Sequence, residues 1–210
     1  RPLKTSLRHR KAHTVATLLT DLSPADMQLR LDDALSVYVD AMRYPRGTER
    51  QRAAMWLEHT RREGWTGVAA FDVPTADEEP ESALRSAPMR GVADGYRGAP
   101  DQWWYQQGAT GLRHVGTPSE RIGQLMDGYF ELTELHIHPR AQGQGLGEAL
   151  TRRLLAGATE SHVLLSTPEI TGEDNRAWKL YRRLDFHDVM RSYFFPGDPR
   201  PFAILGRALP

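Results

Sequence analysis

The 210-residue sequence contains no cysteine, which excludes disulfides, thiolate metal sites and a thiol nucleophile. It also lacks an excess of either charge: 27 Lys and Arg stand against 27 Asp and Glu. That balance removes the usual electrostatic reason to expect nucleic acid as the main partner. No apolar run approaches the ~20 residues needed to cross a bilayer, so a membrane partner is not expected either. Arg1 to Lys11 is basic, but Val15, Ala16, Leu18 and Leu19 are too few for a signal-peptide core, and the cytoplasm is the expected compartment. Internal repeats and low-complexity tracts are absent. What is present is an ordinary soluble composition in a chain long enough for one large domain, which can remove roughly 70% of its unfolded surface from water.

Residues 1–22 show no clear periodicity and read as a poorly ordered N-terminal arm, leaving 23–210 as a single domain. Ser23, Pro24 and Asp26 signal a helix start: a capping hydroxyl, proline at the first position and a first-turn carboxylate. Leu31, Leu35, Tyr38 and Met42 then recur on one helical face. A second helix is expected from Thr48 to Arg62. Gly67 to Phe71 reads as a strand, Pro74 to Pro88 as a loop and Met89 to Tyr96 as a partner strand. Arg97 to Gly116 looks less regular. Thr117 and Glu120 fit a capping box opening a helix to Asp127. Further on, strands at Phe130–Ile137 and His162–Ser166 alternate with helices at Gly145–Ala156 and Asp174–Leu184. A terminal hairpin, Val189–Phe195 with Phe202–Leu209, closes the chain. The alternation predicts an α/β fold of α+β type, a mixed sheet covered by helices.

Gln142-Gly143-Gln144-Gly145-Leu146-Gly147 lies between a predicted strand and a predicted helix. Alternate glycines let the backbone approach a ligand, and the helix start adds its positive dipole end, a combination suited to a diphosphate. A P-loop would need Lys and Ser/Thr after Gly147, where Glu148 and Ala149 stand. The dinucleotide fingerprint would need its third glycine one position later. What remains is Gln/Arg-x-x-Gly-x-Gly/Ala, matched by Gln142, Gly145 and Gly147, or else a plain glycine turn tightening the junction.

The run from His138 through Leu150 resembles the acetyl-CoA signature of the GNAT superfamily of N-acetyltransferases. Asn175-Arg176-Ala177-Trp178-Lys179-Leu180-Tyr181 through Phe186 resembles that family's second motif, with Asp185 where glycine is usual. The resemblance implies a sheet whose two central strands splay to form the acyl-CoA cleft. It implies that the backbone of Leu135, His136 and Ile137 pairs with the pantetheine arm. Amides from Gln142, Gly143, Gln144, Gly145, Leu146 and Gly147 would hold the pyrophosphate, and Asn175 would contact the arm or a nearby water. Arg152 and Arg153 either reach the 3′-phosphate or form a solvated helix face. Tyr181 falls on the tyrosine that protonates the departing thiolate.

Acyl transfer to an amine also needs a base, because a free lysine amine titrates near 10.4. Glu131 and Glu134 are the candidates. Strand alternation is expected to separate them, Glu134 with His136 and Glu131 with Leu135 and Ile137; the preference goes to Glu134. His136 and His138 have no third ligand nearby, so no metal is expected. The acceptor, a small-molecule or peptide amine, is expected beside the Tyr44–Thr48 loop, with Tyr44, Trp103, Trp104 and Tyr105 as candidate walls and Trp56 as core. Trp103 and Trp104, being consecutive, cannot share a face. Exposed C-terminal strands are compatible with a homodimer. A non-catalytic acyl-CoA sensor or a protein-interaction domain on the same fold is the alternative reading.

Overall fold

The computed structural model describes residues 15–210. In chain order the elements are β1 (Ala16–Leu22), α1 (Pro24–Leu29), α2 (Leu31–Met42), α3 (Thr48–His59), β2 (Thr66–Val73), α4 (Pro80–Ser86), β3 (Met89–Arg97), α5 (Trp103–His114), α6 (Ser119–Met126), β4 (Tyr129–Ile137), α7 (Leu146–Ala156), β5 (His162–Pro168), α8 (Arg176–Arg183), β6 (His187–Tyr193) and β7 (Phe202–Ala208). The strands form one sheet in the order β1-β2-β3-β4-β5-β7-β6. Neighbours run antiparallel except β4 and β5, which are parallel.

Four expectations are corrected. Residues 16–22 of the predicted arm are the edge strand β1, in register with β2 from Ala16↔Val73 to Leu22↔Gly67; residues 1–14 lie outside the described residues. The Pro74–Pro88 segment contains α4, which starts with proline at its first position. The less regular 97–116 segment contains the three-turn helix α5. Helix α6 is capped by Pro118 without a side-chain bond, because Thr117 is drawn into the end of α5, its N–H bonding Leu112 O at 3.0 Å. The Ser23 start behaves as expected: Ser23 Oγ accepts from Asp26 N and Asp26 Oδ2 accepts from Ser23 N.

Apolar residues divide the molecule into three packed layers. Helices α1–α4 cover β1–β3 through Met27, Leu35, Tyr38, Trp56 and Phe71. On the same face, α5 and α6 cover the other end of the sheet through Trp104, Leu112, Met126, Tyr129 and Ile204. The opposite face is closed by α7 and α8, with Leu150, Leu154, Trp178 and Phe186 fully buried.

Two irregularities in β4 create the site. Pairing with β5 covers only Tyr129–Glu131, opposite His162–Leu164. Beyond Glu131, β4 continues to Ile137 on β3, while β5 continues to Pro168 on β7. The two strands therefore part, leaving facing backbone edges unpaired. The second irregularity is a bulge: Asp94 pairs Glu134 but Gly95 pairs Leu132, so Thr133 is an extra residue in β4. Such an insertion bends a strand and restarts its alternation. Gly95 permits it, since a Cβ there would collide with the Glu131 carbonyl oxygen and the Phe130 ring.

Candidate active site

The glycine turn is open and unsatisfied. Gly143 and Gly145 adopt left-handed backbone, with φ of 75° and 79°. Gly145 caps α7 without any side-chain bond. Among the described residues no acceptor meets the amides of Gly143 to Glu148; the first return bond is Ala149 N to Gly145 O. A run of free amides at a helix start is an anion cradle. Arg176 leans over it: a Cβ on Gly143 would stand 2.6 Å from Arg176 Nη1. Gln142 fastens the turn to the sheet, its Nε2 donating to Ile137 O at 3.1 Å.

Below the turn, the gap between β4 and β5 opens into a cleft of about 830 Å³. Leu135, His136 and Ile137 line it, as do the turn residues Gln142, Gly143, Gly145, Leu146 and Gly147, and beyond them Asn175 and Tyr181. Gln144 does not; its Nε2 turns back to Arg140 O at 3.4 Å. Asn175 has a structural duty, because its Oδ1 accepts from Trp178 N at 2.8 Å and caps α8. Its amide NH₂ is what remains for the cleft. At the other end of α8, Asp185 takes φ 62°, with its own N–H on Arg182 O and Phe186 N–H on Tyr181 O. The left-handed turn expected of glycine thus survives with aspartate. Arg152 and Arg153 are engaged elsewhere, by Glu148 and Asp21.

The bulge corrects the expected placement of the glutamates. Asp94 and Tyr96 share a face of β3, so their partners Glu134 and Glu131 share it too, together with His136. Leu135 and Ile137 lie on the opposite face with Leu132 and Leu150. Glu134 Oε2 and His136 Nε2 are 2.5 Å apart. The His136 ring sits 4.9 Å from Tyr38 and stacks at 6.1 Å on Trp56. Glu131 lies deeper, 4% exposed, and burial pushes its carboxyl up to about 8. Tyr181 meets the cleft from the other side, seated edge-on against Phe186. Burial, then the Glu134 charge, push its phenol up to about 12.

Comparison with known proteins agrees with this geometry. Residues 108–186 match the family model for the acetyltransferase (GNAT) family. A GCN5-like protein acetyltransferase of Mycobacterium tuberculosis, Rv2170, is 64% identical over 206 residues, covering 93% of this chain and all of the relative. The chain belongs to the GNAT family of acetyltransferases. Solved structures share the fold: NAA60 of Arabidopsis thaliana in complex with acetyl-CoA (14% identity, TM-score 0.56, 92% of this chain and 98% of that one) and the ribosomal-protein-S18-alanine N-acetyltransferase of Escherichia coli (16%, 0.54, 92% and 94%).

The GNAT donor, acetyl-CoA, suits the residues present. The free amides and Arg176 fit a diphosphate, and the apolar gap fits an extended arm. Sequence reasoning missed three groups on the rim. Arg43 enters the cleft from the end of α2 because it takes left-handed backbone there, φ 56°, a turn no motif announces. Lys179 and Arg183 project from α8 onto the same cleft. Lys179 is engaged by Asp174 and Arg183 by Glu148, so among the described residues Arg43 and Arg176 carry the rim's unpaired positive charge.

The Tyr44–Thr48 loop borders a groove of about 480 Å³, shared with Gln51, Arg52 and Met55. Tyr44 stacks edge-on to Tyr38, which leads to His136 and Glu134. The expected aromatic wall is only partly assembled. Trp56 is core, 0% exposed, as expected. Trp104 and Tyr105 turn inward to Tyr129. Trp103 is 53% exposed and rests on Phe195, so the consecutive tryptophans do separate.

Proposed function

We propose that this GNAT protein transfers the acetyl group of acetyl-CoA to a primary amine carried by a protein, by direct attack on the thioester. The observation that carries this reading is the cleft opened where β4 parts from β5, lined by both Tyr181 and His136, with Glu134 hydrogen-bonded to His136. An acid at the cleft, and a base reaching it through His136, are what thioester aminolysis requires. The choice of a protein-borne amine rests on the name of the 64% identical relative and on the open groove beside Tyr44, which leaves room for an extended side chain.

In this mechanism, amides from Gly143 to Glu148, with Arg176 above them, hold the diphosphate. Unpaired backbone of Leu135–Ile137 aligns the arm and presents an amide to the developing oxyanion. Glu134, oriented by His136, takes a proton from the incoming ammonium, directly or through one water. Tyr181, protonated at every working pH, gives its proton to the departing sulfur. A free thiol titrates near 8.5, but in a dry cleft the thiolate is a stronger base than in water, which narrows the mismatch with a phenol near 12.

The test is thiol release from acetyl-CoA with lysine peptides as acceptors, in wild type and Tyr181→Phe. Turnover by wild type, reduced about 100-fold in the variant with unchanged acetyl-CoA affinity, supports the reading. Tight acetyl-CoA binding without transfer to any amine would instead indicate a sensor on the same fold.

A further inference from the structure

The groove beside Tyr44 carries one charge that the fold leaves unanswered. Besides Tyr44 it is lined by Thr48, Gln51, Arg52 and Met55, which are spaced three and four apart and so form one stripe of α3. Among the described residues no carboxylate pairs with Arg52; its Nη1 rests 3.9 Å from Met55 Sδ. The acids around it are already committed. Arg46 binds Asp40 at 2.7 Å and Glu49 at 3.3 Å. Glu49 also accepts from Gly47 N at 2.7 Å, and Asp40 faces His138 at 3.5 Å. Further along α3, Glu58 is taken by Arg61 at 3.6 Å. Two other guanidiniums stand nearby. Arg200, in the turn between β6 and β7, neighbours Tyr44 but is held by Asp198 at 2.7 Å. Arg43 enters the coenzyme cleft instead. Arg52 is thus the groove's own unpaired cation.

A bare surface arginine is ordinary in itself; its position sets this one apart. Burial pushes the Tyr38 phenol up to about 12, and the Arg52 guanidinium beside it opposes the shift. The Tyr38 ring lies 5.5 Å from Tyr44 and 4.9 Å from His136, and His136 holds Glu134. One side chain, Tyr38, therefore separates Arg52 from the Glu134–His136 pair. A lysine side chain passing Tyr44 toward that pair would leave its own peptide at the groove, against the stripe of α3. There an arginine fork matches a planar oxyanion, taken through two parallel N–H···O bonds. In a protein acceptor that oxyanion is the carboxylate of Asp or Glu.

We propose that Arg52 determines acceptor specificity by pairing with a carboxylate next to the reacting amine, so that the preferred acceptor is a lysine in an acidic stretch of protein. The inference rests on the acetyltransferase reading above and names the kind of amine that its groove selects. Arg52 binds and orients; the proton steps stay with Glu134 and Tyr181. Pairing also helps those steps. A carboxylate beside a lysine favours the charged ammonium, whereas one neutralised by Arg52 no longer holds the proton that Glu134 must take. The pair forms at the groove surface, so it contributes about 5-fold in kcat/KM, the upper range of an exposed ion pair, and weakens as salt screens it.

The test is acetylation of peptides with one lysine and a single Glu, Gln or Arg at each position from two before it to two after, at low and high salt. In the wild type, Glu at one of these positions should raise kcat/KM about 5-fold over Gln, and high salt should shrink the difference. Arg52→Lys should keep part of the preference, Arg52→Gln should equalise the two peptides, and Arg52→Glu should invert the order in favour of Arg. Arg43→Gln, which removes the other unpaired cation next to Tyr44, should leave the Glu-to-Gln ratio at its wild-type value. Damage to the fold lowers all peptides alike and does not move that ratio. A wild type that treats Glu and Gln alike at every position, or a preference that survives Arg52→Gln, overturns the proposal and leaves the acetyltransferase reading standing. Free lysine acetylated faster than every peptide, with the same dependence on Arg52, would show that the carboxylate is the acceptor's own and would overturn the acidic protein segment. A wild type inactive on every amine would remove the acetyltransferase reading, and the inference with it.

Discussion

Glu131 makes an unusual demand on the fold, and the demand is measurable as stability. Its carboxyl is pushed up to about 8 in the folded protein from an ordinary 4.5, with burial the largest cause and Arg62 opposing it. The sign is opposite to that of a salt-bridged carboxylate. The folded state holds a proton that the unfolded state has released, so stability is fully present below about pH 4.5 and is lost as pH rises toward 8. A shift of this size costs about 1.4 kcal/mol per unit, which gives a loss of about 4 kcal/mol between pH 5 and pH 9, an upper value because relaxation around the ionised carboxyl reduces it. In a chain of this length 1 kcal/mol moves Tm by about 2–4 °C, so the wild type should fall by about 8–16 °C over that range from Glu131 alone. Glu131→Gln fixes the neutral form and should remove that part of the fall. Asp94 is raised in the same direction but is present in both proteins, so the difference between the curves isolates Glu131, within the coupling of the two carboxyls. The assay is Tm by circular dichroism at half-unit steps of pH. Parallel curves for the two proteins would refute a neutral Glu131.

Other substitutions probe the remaining parts. Tyr181→Phe should leave Tm within about 1 °C and acetyl-CoA affinity unchanged while kcat falls about 100-fold, read by thiol release. Arg176→Ala removes the guanidinium over the turn and should weaken acetyl-CoA about 10-fold, ~1.4 kcal/mol, with a smaller dependence on salt, read by calorimetry. Gly95→Ala drives a methyl into the Glu131 carbonyl and the Phe130 ring. It should cost about 2–4 kcal/mol in urea unfolding and lower kcat by straightening the β4 bulge.

The parts of this molecule legible in its sequence are those governed by local chemistry. The glycine turn before α7 and the asparagine opening α8 are short-range signals, and each lies where a backbone must bend or cap. Asp185 was also readable, because aspartate tolerates left-handed backbone. Features set by distant partners were not. Helix α5, in the segment that looks less regular, carries Gly108 and Gly111; Gly111 is there because Met190 and Tyr193 press against it, and a Cβ would meet Met190 Cε at 2.6 Å. Strand β1 is half-exposed at a sheet edge, so its alternation is faint. The site error had the same origin. A two-residue period assigns Glu131 and Glu134 to opposite faces, and only pairing with β3 reveals the extra residue at Thr133.

The measurement that tests the central claim most directly is calorimetric titration of acetyl-CoA into the wild type and into Gly145→Glu, which places bulk and negative charge in the amide cradle. The account predicts one site per chain of micromolar affinity in the wild type, lost in a variant whose circular dichroism is still that of a folded protein. A folded wild type that binds no acetyl-CoA, or a folded variant that binds it as tightly, would contradict it.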